Sequence, residues 1–174
     1  MVLDVEPTGS VDVGELEFVN ATSGGVVPAE FARAVADGCR DAMSQGPRGF
    51  PLVGVKVTLT DGAIHSNDSS ERSFRIAGGQ ALRLAAERAG STLLEPVMVV
   101  EAEAPEDHLG AVIGAINARR GEVSTLTERN GASICRAVVP LAELFGFTDA
   151  LRSVSQGRAS ATMTPAGYRP APDS

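Results

Sequence analysis

The strongest constraint on how this chain folds is a change of hydrophobic period between residues 52 and 89. Leu52, Val53, Val55, Val57 and Leu59 form an alternating apolar run that predicts a β-strand over 51–60. Phe74, Ala77, Ala81, Leu84 and Ala85 then recur at spacings of three and four, which predicts a helix over 69–89 stopped at Gly90. Between the two, Asp61-Gly62 is a turn signal, and Asp68 followed three residues later by Glu71 predicts an N-cap with a capping box. A loop held by a strand on one side and a capped helix on the other is a rigid projection. At its tip lies His65, one of two histidines in the chain.

The same alternation of periods organises the remainder. Short strands are expected over 2–6 and 15–19, followed by the loop Ala21–Pro28 and a helix over 28–45 with Phe31, Ala34, Val35, Gly38, Cys39 and Ala42 on its apolar side. The first half therefore reads β-β-α-β-α. A second series starts near Gly90-Ser91. It has a strand over 93–103, then a helix opened by Pro105-Glu106-Asp107 that carries Leu109, Val112, Ile113 and Ile116 and ends in Arg119-Arg120-Gly121. Strands over 122–128 and 132–139 flank Asn130-Gly131, a strong hairpin signal. A helix over about 141–155 with Leu141, Leu144, Phe145 and Leu151 on one side, and a strand over 158–164, complete β-α-β-β-α-β, the split βαβ order. The Pro-rich tail from Pro165 is expected to be loose.

Composition removes several classes of function. A formal charge of −7 argues against indiscriminate adsorption to nucleic acid or membranes, and no apolar run reaches the length of ~20 residues that spans a bilayer. No GxxxxGK[ST] or strand-linked GxGxxG occurs, so a P-loop nucleotide site is excluded within these residues. Cys39 and Cys135, far apart and without a CxxC pair, read as reduced core thiols of a cytosolic protein. His65 with Asn67 and Asp68 is too sparse for a metal site. Ser66, Ser69 and Ser70 lack an oriented base and suit helix capping better than nucleophilic catalysis. Three roles stay open for His65: an exposed side chain without function, a group shaping its own turn, or a probe that stacks on or bonds to RNA. Residues 108–169 carry seven arginines against four acids. Arg119, Arg120, Arg152 and Arg158 at helix ends serve either dipole complementation or contact with phosphate.

The residues also carry a resemblance. The stretch from Asp61 to Phe74, then Leu93-Leu94-Glu95-Pro96-Val97-Met98, Ala118-Arg119-Arg120-Gly121, Pro140 to Phe147, Leu151-Arg152-Ser153 and Gly157-Arg158-Ala159-Ser160 resemble, in order and approximate spacing, the C-terminal part of elongation factor G. Phe18-Val19-Asn20, Gly24 to Pro28 and Gly54-Val55 extend the likeness upstream. The resemblance implies an α+β protein of two small α/β-sandwich domains. Residues 1–90 correspond to domain IV, of the ribosomal protein S5 domain 2-like fold, without its first strand and one tip loop. Residues 91–168 correspond to the ferredoxin-like domain V, and 169–174 form a loose tail.

By the same resemblance, His65 with Ile64, Ser66 and Asn67 belongs to a tip loop that reaches the tRNA–mRNA duplex at the decoding centre. Arg119, Arg120, Arg152 and Arg158 match basic positions of the domain facing ribosomal RNA. The implied task is ribosome binding during translocation, in the cytoplasm and without a membrane. The chain itself is expected to be non-catalytic and without cofactor, since GTP and Mg²⁺ would belong to an absent domain. His65-Ser66-Asn67 departs from the commoner His-Asp-Val, which leaves open ribosome protection of the tetracycline-resistance type, or ribosome recycling. A stand-alone remnant that forms a homodimer through the unpaired domain IV strand is the third alternative.

Overall fold

A computed structural model of the chain describes residues 1–12, 14–65, 69–129 and 131–172. Those residues divide into two compact units, Met1–Ser91 and Thr92–Ser174. The first contains β1 (Val2–Pro7), β2 (Leu16–Asn20), α1 (Ala29–Met43), β3 (Val55–Asp61) and α2 (Glu71–Ala89). β3 is central, antiparallel to β1 and parallel to β2. Val55, Val57 and Leu59 alternate inward, so one sheet face meets α1 and α2 while Lys56, Thr58 and Thr60 point the other way. The predicted strand over 51–60 loses its first residues because Gly54 takes φ +66 and lies against the Ser10 carbonyl, where a side chain would collide. Leu52 instead donates its N–H to the Met43 carbonyl at 2.7 Å, closing the end of α1.

The two helices approach closely because glycines face each other. A Cβ on Gly38 would overlap the Arg75 carbonyl oxygen, one on Gly78 would lie 2.7 Å from the Val35 carbonyl, and one on Gly79 2.9 Å from that of Gly38. Phe31 and Phe74 stack beside this contact with centroids 4.7 Å apart, and Arg75 reaches Asp41 across it at 2.7 Å. The close approach also sets the rotation of α2. Phe74, Gly78, Leu82 and Ala86 form its buried row, whereas Leu84, expected inside, is 53% exposed. The apolar pattern is compatible with two neighbouring stripes, and the glycine contact selects the one without Leu84.

The second unit contains β4 (Leu94–Ala104), α3 (Glu106–Asn117), β5 (Glu122–Arg129), β6 (Ala132–Pro140), α4 (Phe147–Val154) and β7 (Ser160–Pro170), with a 3-10 turn over Leu141–Leu144. Its antiparallel sheet has the order β5-β6-β4-β7, the ferredoxin-like arrangement. The β5–β6 pair closes at Arg129 opposite Ala132; Asn130 of the hairpin signal lies outside the described residues. Val100, Ala102, Val112, Ile116, Cys135, Ala137, Phe147 and Leu151 form the core. Cys39 and Cys135 are both buried and not joined in a disulfide. Among the described residues no helix is long and apolar enough to cross a membrane.

Two expectations in this unit are corrected. The helix over 141–155 is broken at Gly146, whose φ of +74 is left-handed. The chain turns there, so Phe145 is 81% exposed and Phe147 takes the core position at 0%. The tail is also less loose than its prolines implied. β7 runs on to Pro170, pairing Arg169 with Glu95 and Pro170 with Leu94 past a bulge near Gly167. As an edge strand, β7 tolerates Pro165 and Pro170, whose missing N–H groups need no partner on the open side.

Candidate functional site

The connection from β3 to α2 is pinned at both ends. The Gly62 N–H donates to Asp61 Oδ1 at 2.8 Å, and Gly62 lies so near Val27 that a Cβ would be 2.7 Å from its methyl group. At the far end Ser70 caps α2: its hydroxyl accepts from the Ser73 N–H at 3.1 Å, and its own N–H donates to Ser73 Oγ at 2.9 Å. The described cap is Ser70 with Ser73, and Asp68 of the expected Asp68–Glu71 pair lies outside the described residues. Ser70 stands directly before the first helical residue, and Ser73 is the residue three positions on. His65 and Ser69 are joined twice, His65 N–H to Ser69 Oγ at 2.9 Å and Ser69 N–H to the His65 carbonyl at 3.0 Å.

The backbone at His65 is thus fixed while its side chain is exposed, next to Ile64 at 39%. Ser66 and Asn67, also candidates, lie with Asp68 outside the described residues. What remains is a polar ring beside an exposed isoleucine, with the N–H groups of His65 and Ser69 both bonded. Among the described residues no cluster of His, Cys, Asp or Glu is placed to hold a metal ion.

The four candidate arginines do not converge. Arg158, 51% exposed, lies 3.6 Å from Asp107 at the first turn of α3, whereas Arg119 and Arg120 follow the last turn of that helix, ~18 Å along its axis. Arg119 donates to the Ala115 carbonyl at 3.1 Å and rests 5.4 Å from the Phe147 ring centroid, a cation–π contact inside the unit. Arg120 is likewise occupied. It grips Glu95 with two bonds of 2.9 and 2.8 Å and Glu143 with a third of 3.0 Å. Arg152 is open, 68% exposed with only a 3.7 Å pair to Asp149.

Arg169, in the segment expected to be a loose tail, extends the Arg120 network. It donates to Glu95 at 3.1 Å, to Glu122 at 2.8 Å and to the Arg120 carbonyl at 3.1 Å. The network ties β4, β5, β7 and the 3-10 turn together. Hydrogen bonds from Arg120 above all, and then from Arg169, hold the Glu95 carboxyl below the usual carboxylate range. A depressed carboxyl lends stability above its unfolded value and loses it as pH falls through the folded one. Unit 2 is therefore expected to weaken below about pH 4, and Glu95→Gln should flatten that acid limb. Fluorescence of Tyr168, the only tyrosine in a chain without tryptophan, reads this unit alone. An unchanged acid limb in the variant would assign the pH dependence to other groups.

Two family models match the chain: elongation factor G, domain IV, over residues 1–90, and elongation factor G C-terminus over residues 92–174. A crystal structure of a protein from Thermus thermophilus matches with a TM-score of 0.86 at 31% sequence identity, covering 98% of this chain and 25% of that one. The chain thus spans about a quarter of the length of that relative.

Proposed function

Because the chain belongs to the elongation factor G family over both of its units, we propose that it is a ribosome-engaging module of a translation factor, acting in the translocation of tRNA and mRNA. The observation that carries this reading is the connection at His65, whose backbone is tied to Ser69 in both directions while its ring and Ile64 are exposed. A pinned backbone lowers the ordering cost of inserting a side chain into a confined RNA site. The imidazole offers a flat face for stacking on a base and ring nitrogens for hydrogen bonds to base or phosphate. Translocation fits such a probe, since the tRNA–mRNA duplex at the decoding centre must be held while it moves. Nucleotide hydrolysis with GTP and Mg²⁺ belongs, in this reading, to a domain outside these residues.

Co-sedimentation with 70S ribosomes tests the proposal. The wild-type chain should pellet with ribosomes at low salt, and His65→Ala should bind about tenfold more weakly, the scale of one lost stacking contact. A wild-type chain that stays in the supernatant at about 50 mM salt, where phosphate contacts are strongest, would remove the proposal.

A further inference from the structure

Half of the basic residues of unit 1 lie on one helix. α2 carries Arg72, Arg75, Arg83 and Arg88 against Glu71 and Glu87, whereas the rest of residues 1–91 carries four bases against ten acids. Arg75 is committed to Asp41 at 2.7 Å. Arg72 and Arg83 are exposed, and no ion pair or hydrogen bond joins either to another described residue. Eleven residues separate them, so at 100° per residue they project within about 20° of each other and ~16 Å apart. From Ser73 to Leu82 there is no acid. Ile76, 50% exposed, and Gln80 lie on the outward side of the line that joins them, and the outward rotation of Leu84 continues it; Gly79, packed on α1, lies on the inner side, where Glu30 and Asp37 of α1 border Arg72. Two unpaired guanidinium groups in line on a helix, with uncharged side chains on the outward side and the intervening Arg75 neutralised by Asp41, match a polyanion of regular charge spacing.

We propose that the outward face of α2, through Arg72 and Arg83, is a second RNA contact of this unit, a rail for the phosphate backbone that starts one residue past the first residue of the helix. It rests on the ribosome-engaging reading and deepens it: the loop at His65 makes a local contact, while the rail sets the direction in which RNA leaves it. Charge complementarity selects RNA as the occupant. The opposite sheet face bears Asp4, Glu6 and Glu17 beside Lys56, so an acidic unit would meet a polyanion with α2 forward.

The test follows binding of the fluorescein-labelled chain to 70S ribosomes by anisotropy between about 50 and 200 mM KCl. It compares wild type with Arg72→Gln/Arg83→Gln, with Arg72→Lys/Arg83→Lys, and with a charge-matched control, Arg48→Gln/Lys56→Gln. Losing two phosphate contacts lowers the salt slope by ~1.8, so wild type should lose ~10-fold more affinity over that range than the Gln pair. The Lys pair and the control should keep the wild-type slope. If the Gln pair binds as wild type does, the rail is wrong and the ribosome reading stands. If it binds more weakly with an unchanged slope, the face meets protein and the RNA assignment is overturned. Failure of every chain to bind, wild type included, overturns the rail together with the reading beneath it.

Discussion

Phe147→Ala should cost unit 2 about 3–5 kcal/mol, while Phe145→Ala, two positions away, should change its stability by no more than about 0.5 kcal/mol. Both residues are phenylalanines in one short motif, and Gly146 at φ +74 turns the chain between them. Phe147 is 0% exposed among Val112, Ile116, Cys135 and Leu151, whereas Phe145 is 81% exposed. Truncating Phe147 leaves a cavity and removes the face on which the Arg119 guanidinium rests. A unit of this size has total stability of ~4–12 kcal/mol, so the variant should be largely unfolded at modest urea. Tyr168 fluorescence follows the transition of this unit in isolation. Equal shifts for the two variants would contradict the core described for unit 2.

Gly38→Ala should destabilise unit 1 by about 2 kcal/mol or more, against the usual preference of helices for alanine. Replacing a helical glycine by alanine gains ~1 kcal/mol from backbone entropy. Here the added methyl would overlap the Arg75 carbonyl oxygen, which is backbone of α2 and cannot rotate away. Forcing packed helices apart costs ~1–3 kcal/mol and sometimes more, and the Phe31–Phe74 stack and the Arg75–Asp41 pair both cross the same contact. The steric term therefore wins. Gly114→Ala on α3 supplies the contrast, because nothing lies within 4 Å of its added Cβ; that variant should gain stability. Pulsed thiol labelling of Cys39, resolved from Cys135 by mass, reports the opening of unit 1. Cys39 is fully buried, and burial pushes its thiol up to about 11, so it reacts only when the unit opens. Faster labelling of Cys39 is expected in Gly38→Ala, and labelling at the wild-type rate would refute the close contact.

These two cases mark where the sequence is readable. Period alone locates β3, α1, α3 and the β5–β6 pair to within a few residues, because each has an apolar pattern compatible with a single element. It fails where two readings share a pattern. The stripe on α2 that includes Leu84 is as regular as the one through Leu82, and only the approach of α1 at Gly38 and Gly78 decides between them. Phe145 and Phe147 are interchangeable until the left-handed Gly146 is seen. For the site, the turn at Asp61-Gly62 and the position of His65 are legible from local signals. The use of Arg120 is not, since its partners Glu95 and Glu143 lie 25 and 23 residues away in sequence. Arg72 and Arg83 do leave a signal, a gap of ten residues without an acid on a helix, but it acquires meaning only once α2 is known to face outward there.

Whether His65 meets RNA of the small ribosomal subunit decides the functional reading, and a cleaving probe at that position answers it. Both native thiols are buried, so His65→Cys offers a single reactive site for an iron chelate that releases hydroxyl radicals. Bound to 70S ribosomes, that chain should cut small-subunit ribosomal RNA around the decoding centre, and the same chelate at Asp4→Cys, on the sheet face turned away from the helices, should not. Cleavage absent from position 65, or identical from both positions, would contradict the account.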